Sequence, residues 1–457
     1  MIEDKDINEV HYDKDFLELL LAEENIEAFR EHYLALHPYD QAQFYEEVGP
    51  DIRQIIYRFL SPQEMSFIFE VIELEDDEYE KYLNEMDTSY GAAMLSYMYT
   101  DDAVDILNEL DNEQRENYLE MMDDETVEEI NELLSYEEYT AGAIMTTEFV
   151  SILESYTVRE AMRTLRQEAP TAETIYYIFV VDDMQKLTGV ISLRDLIIAE
   201  GDTLIHEVMS ERVVSAKVTD DQEDVARIIK DYNFLAIPVI NEERELQGII
   251  TVDDIIDVID EEAEDDYSKL AGIADMDDND AGPIRAAAKR LPWLIILLFL
   301  GMITSGLMGI FEATLDKVAL LATFIPLISG TSGNSGTQAL AVAIRGIATG
   351  DIGGKSKFKL VLRELSTGMI MGLVSGAIVV GIIFFWKGTL MIGLLVGAAI
   401  CCSIIVATLA GSFIPILMHK LGVDPAVASG PFITTLNDVT SIIIYLGLAS
   451  TFIGNIM

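Results

Sequence analysis

From Pro283 to the C-terminus five apolar stretches follow one another, at about 291–311, 318–344, 365–386, 390–417 and 426–453. Each is long enough to cross ~30 Å of hydrocarbon as a helix. Lipid offers a backbone no hydrogen bonds, so such stretches must satisfy their own polar groups as helices and pack on one another. The prediction is a five-helix α transmembrane domain over 284–457, in a multi-pass protein of the plasma membrane with lipid around it.

Charge divides the rest from this domain. The formal net charge is −51, but the part from Pro283 onward holds 11 Lys and Arg against 6 Asp and Glu, leaving about −56 on the first 282 residues. So acidic a front half argues against nucleic acid as a partner, and its self-repulsion opposes compact packing unless cations offset it. The N-terminus, MIEDKDINEV, lacks the basic-then-apolar order of a secretory signal, and the front half is expected to stay in the cytoplasm. Basic residues precede the first span (Arg285, Lys289, Arg290) and separate the second from the third (Arg345, Lys355, Lys357, Lys359, Arg363), whereas the 312–317 turn carries Glu312 and Asp316. By the positive-inside rule the N-terminal domains are cytoplasmic and the C-terminus is outside. Cys401 and Cys402 lie side by side within a span and read as small buried residues without metal or redox chemistry.

Residues 1–138 read as short helices, each a polar cap followed by an amphipathic run: LSPQEMSFIFEVI, YTDDAVDILNEL and MDDETVEEINELL. Stacked in sequence they predict an all-α superhelical N domain. From Thr140 the pattern turns to β-rich runs alternating with helices, twice over. IYYIFVVDDMQKLTGVISLRDLI is echoed by NFLAIPVINEERELQGIITVDDII, the cores GVISLRDLI and GIITVDDII lying 59 residues apart, and AIMTTEFVSI matches EVMSERVVSA. Two copies of strand, turn, strand and helix predict an α+β module with a pseudo-twofold, at 139–202 and 203–260. With these openings and closings the region resembles tandem CBS domains. That resemblance implies an adenine nucleotide in the cleft, with Ser192 and Asp195, and Thr251 and Asp254, near phosphate and ribose. A connecting helix over 261–283 follows a run from Asp253 to Asp266 with nine acids and no base.

Within the spans one acid stands out. Asp438 lies 13 residues beyond Pro425, about 20 Å along a helix and somewhat past the midplane. A charge there is costly and points to function. Thr434, Thr435, Asn437, Thr440 and Ser441 accompany it. PLISGTSGNSGTQ, residues 326–338, puts Asn334, Gln338 and three glycines at membrane depth, and a break from regular helix, lining a hydrated path, is expected there. Gly368, Gly372 and Gly376 read instead as a helix-packing surface. Oxygen-only ligands, with histidines scattered at 11, 32, 37, 206 and 419, select a hard cation. Mg²⁺ keeps its waters and needs few carboxylates, whereas Ca²⁺ wants six to eight oxygens.

In domain order, and most closely in PLISGTSGNSGTQ with IRGIATGDI and DPAVASGPFITTLNDVTS with IYLGLA, the chain resembles the MgtE family of magnesium channels. The resemblance implies a homodimer, not an enzyme, importing Mg²⁺ through a pore in which Asp438 of each chain holds the hydrated ion, with Asn334, Gln338, Thr434 and Ser441 nearby. It implies regulatory Mg²⁺ at Asp101, Asp105, Asp221, Glu223, Asp254, Asp257, Glu262, Asp265 and Asp266, closing the pore through the connecting "plug" helix. ATP is implied at the first CBS copy, near Tyr177, Ser192, Arg194, Asp195 and Phe234. Two other classes stay open from the residues alone: a proton- or sodium-coupled transporter with Asp438 as its titrating group, and a membrane-anchored nucleotide sensor.

Overall fold

The computed structural model describes residues 12–72, 74, 76–273, 283–349, 355–421, 423–424 and 430–456. The chain divides into two compact units, Met1–Ile259 and Asp260–Met457.

The first unit opens with ten helices among its described residues, from Lys14–Ala22 (α1) to Asp124–Leu133 (α10). Their starts are written locally. Ser61 caps Pro62–Phe69 (α5) in a full capping box with Glu64, and Asp13, Asn25, Asp87, Asp111 and Asp123 each accept a hydrogen bond from the first turn of the helix they precede. The helices pack around Phe29, Tyr33, Phe44, Ile56, Met65 and Met94, all fully buried.

The repeat folds as two three-stranded sheets. Phe149–Leu153 (β1), Thr174–Val181 (β2) and Leu187–Ser192 (β3) form the first, and Ala216–Lys217 (β4), Ala236–Ile240 (β5) and Leu246–Thr251 (β6) the second. In each the first pairing is parallel and the second antiparallel, with a register shift at the same place, Val180/Val181 and Val239/Ile240. The hydrophobic core of the helical N domain is continuous with that of the second copy, through Ala216, Val225, Ile237, Ile250 and Ile255. The first copy has a core of its own around Val150, Ile178 and Ile191. The acidic run that follows is not a separate helix beginning near 261: it continues the closing helix of the second copy as Val252–Ala271 (α15), because nothing in VDDIIDVIDEEAEDDYSKLA breaks a helix. The later part of the expected connecting segment, 274–282, lies outside the described residues.

Among its described residues the second unit holds five long helices: Pro283–Ile310 (α16), Ile325–Ala348 (α18), Lys355–Lys387 (α19), Leu390–Lys420 (α20) and Gly430–Ile456 (α21), with the short Glu312–Lys317 (α17) between the first two. Four of them contain stretches long and apolar enough to cross a membrane: Ala286–Ile310, Phe358–Lys387, Leu390–Lys420 and Gly430–Phe452. The remaining one, α18, is long enough but too polar. The expected second span at 318–344 is corrected accordingly: Ala319–Phe324 is a 3₁₀ turn, and the helix proper starts at Ile325.

Nor does the Gly-rich segment 326–338 break. It is regular helix throughout, because its glycines let neighbouring helices come close while its hydroxyls return to the helix itself, Thr331 to Leu327 O (2.7 Å) and Ser332 to Ser329 O (3.1 Å). A Cβ on Gly336 would collide with Asn437 of α21, and one on Gly411 of α20 with the Gly336 carbonyl. On α19, a Cβ at Gly372 would lie 2.8 Å from the Cys401 carbonyl and one at Gly376 2.6 Å from that of Gly397, so this glycine row is a packing surface. Cys401 is half-buried there and Cys402 exposed on the chain, not buried as the apolar span suggested.

Candidate functional site

The helix Thr100–Asn108 (α8) carries acids in its first turn, where an aspartate favours the unpaired backbone N–H groups. Asp101 is buried and Asp102 half-buried. Opposite them stand Glu173, just before β2, and Asp254, in the first turn of α15. Glu148, before β1, ties the two sides together. It accepts hydrogen bonds from Thr100 Oγ1 (2.6 Å), Thr146 Oγ1 (2.7 Å) and the Thr147 N–H (3.1 Å).

Glu148 is therefore well satisfied; Asp101 and Glu173 are satisfied only in part. Asp101 Oδ1 and Glu173 Oε2 are buried with no hydrogen-bond partner among the described residues. Burial, reinforced by the Asp102, Asp254, Glu173 and Glu148 carboxylates, holds Asp101 well above the usual carboxylate range. Burial and the Glu70, Asp254, Asp105 and Glu173 charges push Asp102 to about 8. Glu173 rises to about 8, from burial first and then Asp254, and Glu70 to about 7, mainly from burial. Carboxyl oxygens of Glu173, Asp253 and Asp254 come within 4.8 Å of one another. Unpaired acceptors and mutually repelling acids made only of oxygen donors fit a hard divalent cation such as Mg²⁺.

Of the expected regulatory residues, Asp101 and Asp254 meet in this cluster and Asp105 stands at its edge, exposed. Asp221 and Glu223 lie elsewhere in use: Asp221 caps Gln222–Tyr232 (α14), and Arg227 pairs with Glu223 (3.2 Å). Asp257 is exposed on α15. In the second unit, Lys269 bridges Asp265 of its own helix and Asp424 (2.6 Å). Asp266 beside them is pushed to about 6, by burial and then by the Asp424 and Glu262 charges. Glu70, Asp102, Glu148, Glu173, Asp253 and Asp424 were not picked out from the sequence. Asp102 and Asp253 adjoin acids that were, but Glu70, Glu148 and Glu173 sit in no motif, and only packing assembles them.

In the helical domain, Asp438 is half-buried on α21, and Ser329 of α18 donates a hydrogen bond to its Oδ1. Thr434 and Ser441 do not reach this carboxylate: Thr434 Oγ1 donates to Gly430 O (2.9 Å), and Ser441 Oγ to the main-chain oxygen of Asp438 (3.0 Å). Asn334 and Gln338, one turn apart, share an exposed face of α18.

In the repeat, Tyr177 and Phe234 line a small cleft with Phe179, Val190, Arg212 and Pro238. Aromatic faces with one guanidinium suit a purine and a phosphate. Ser192, Arg194 and Asp195 are not part of the lining; Ser192 instead caps Leu193–Ile198 (α12) and donates to Asp195 (2.7 Å). Thr251 and Asp254 repeat that pairing (2.6 Å).

Comparisons with known proteins agree across the chain. Residues 325–448 match the family model described as MgtE, divalent cation transporter; 36–139 match the MgtE intracellular N domain; and 141–202 and 205–261 match the CBS domain. The chain is 53% identical over 432 residues to a magnesium transporter MgtE of Enterococcus faecalis, covering 94% of this chain and 95% of that protein. It is 39% identical over 439 residues to its counterpart in Bacillus subtilis, covering 96% and 97%. Among solved structures it is similar to the soluble part of a magnesium transporter (TM-score 0.54, 54% identity, 55% of this chain and 98% of that one). It is also similar to the cytosolic domain of the Mg²⁺ channel MgtE in complex with ATP (TM-score 0.51, 37% identity, 54% and 99%).

Proposed function

The chain belongs to the MgtE family of magnesium transporters, and on that premise we propose that it is a homodimeric Mg²⁺ channel, importing the ion and closed by Mg²⁺ on its cytoplasmic side. The observation that carries this reading is Asp438, a carboxylate set among apolar helices and met, among the described residues, by a hydroxyl and by no Lys or Arg. A carboxylate kept at membrane depth without a basic partner is poised for a passing cation. Two chains bring two such groups to one axis, and the exposed Asn334–Gln338 face of each α18 then lines the path between them. Mg²⁺ crosses with most of its water shell, held by carboxylate and amide oxygens. The N-terminal domains face the cytoplasm and the C-terminus lies outside.

Closure follows from the acid cluster. Without Mg²⁺, ionisation of Asp101, Asp102, Glu173 and Asp254 sets like charges against one another and the first unit loosens. With Mg²⁺ bound there, and at Asp266, Glu262 and Asp424 beside the connecting helix, the compact state is favoured and the pore shuts. Asp105, Asp221, Glu223, Asp257 and Asp265 are the further acids through which the ion acts. ATP takes the cleft of Tyr177, Phe234 and Arg212, and so links closure to nucleotide supply.

The test is Mg²⁺ flux into proteoliposomes, with Asp438 intact or changed to Asn and with cytoplasmic-side Mg²⁺ low or high. The parent should conduct and be inhibited by Mg²⁺, while Asp438→Asn should lose flux. Flux in the mutant equal to the parent's would end the pore assignment, and flux that requires an imposed pH or sodium gradient would replace the channel by a coupled transporter.

A further inference from the structure

The hydroxyls of the long helices mostly turn back on their own backbone. Thr331, Thr337, Thr434, Thr435, Thr440 and Ser412 each donate to a carbonyl three or four residues earlier, the low-cost choice where no water competes. Ser329 does otherwise. It lies on the inward side of α18, next to the buried Ile328 and Ser332, and its Oγ–H crosses to Asp438 Oδ1 on α21.

We propose that Ser329 is a selectivity residue of the ion path, acting by occupying one oxygen of Asp438; this rests on the reading of Asp438 as the ion-holding group. With Oδ1 engaged by Ser329, Oδ2 has no partner among the described residues, so the carboxylate offers one oxygen to an ion. Mg²⁺ is content with that, since it dehydrates reluctantly and takes carboxylates through one oxygen or through its waters. Ca²⁺ gains most from both oxygens of one carboxylate, in a larger and more flexible shell. The hydroxyl donor thus withholds from Ca²⁺ the bidentate contact that would hold it in the path. Because the hydrogen bond lies within one chain, it sets the carboxylate's direction in each subunit before any ion arrives.

The experiment measures, in proteoliposomes of the full chain, the Ca²⁺ concentration that half-inhibits Mg²⁺ flux, together with the maximal Mg²⁺ flux. Ser329→Thr and Ser329→Val are matched in shape and differ in the donor, and Ser329→Ala removes the donor without adding bulk. Val and Ala should lower the half-inhibiting Ca²⁺ concentration, read against each variant's own maximal Mg²⁺ flux, by about tenfold, the scale of one hydrogen bond to a charged group; Thr should match the parent. Thr and Val behaving alike, or a loss of maximal flux with Ca²⁺ sensitivity unchanged, would reduce Ser329 to a packing role and overturn the proposal. Asp438→Asn in the same series separates the two readings. If it conducts like the parent, the ion-holding role of Asp438 itself falls; if it abolishes flux while Val and Ala keep the parent's Ca²⁺ sensitivity, only the role of Ser329 falls.

Discussion

Two buried charged arrangements in the first unit have opposite character, and the difference predicts how each responds to mutation. Arg53 is almost wholly buried and fully matched: its guanidinium donates to Glu85 through Nε (2.7 Å) and Nη2 (2.8 Å), donates to the Val48 carbonyl, and lies 4.5 Å from the Tyr82 ring centre. Removing one partner of such a pair costs ~3–5 kcal/mol, because the other charge stays behind. Arg53→Ala should therefore speed hydrogen exchange across the N-terminal helices at all Mg²⁺ concentrations. Asp101, buried, and Glu173, half-buried, are the converse case, each with a buried oxygen that has no hydrogen-bond partner among the described residues. Asp101→Asn and Glu173→Gln remove a repulsion that exists only once the cluster is ionised, so in chelator at about pH 8.5 each should slow local exchange around α8, by about 1–3 kcal/mol in opening free energy. Each should also shrink the extra protection that Mg²⁺ confers. Faster exchange in chelator for both mutants would contradict a cluster strained by its own charge.

At the level of elements, the helical domain is organised by where backbones approach. Gly376 on α19 meets the Gly397 carbonyl of α20, so a methyl there must displace backbone, whereas Gly381, little more than a turn further on, has nothing within 4 Å. Gly376→Ala should cost ~1–3 kcal/mol and lower the thermal midpoint of the detergent-solubilised protein, while Gly381→Ala should leave it unchanged or raise it slightly. An equal response at both sites would remove the packing explanation. The same logic explains why the polar segment 326–338 was expected to break and does not. Glycine, proline and amide residues in lipid signal irregular backbone when neighbours are unknown. Once Gly333 and Gly336 are seen against Thr434 and Asn437, the same residues are what allow a regular helix to pack closely on its neighbours.

Across the whole molecule the raised carboxyl groups make compactness depend on pH. Glu70 at about 7, and Asp102 and Glu173 at about 8, bind protons more tightly in the folded first unit than in an unfolded chain. Their favourable contribution is complete below the ordinary carboxylate range, near 4, and is lost as pH rises through 7 to 8. In chelator, proteolysis of the first unit should accelerate between about pH 6 and pH 8.5, and Mg²⁺ should protect most at the alkaline end, where protons no longer compete; a pH-independent cleavage rate would refute this. The sequence by itself settled the order of parts: caps and amphipathic spacing for the N-terminal helices, the 59-residue echo for the paired sheets, and apolar length for the membrane helices. It also isolated Asp438, because an acid in a long apolar run is visible without a neighbour. What the tertiary structure decided was company. Glu70, Glu148 and Glu173 join Asp101 and Asp254, and Ser329 joins Asp438 from 109 residues away, through packing between distant segments. Local sequence carries helix starts and strand periods because those depend on neighbours along the chain. The partner of a buried charge depends on which elements meet, and only the folded core specifies that.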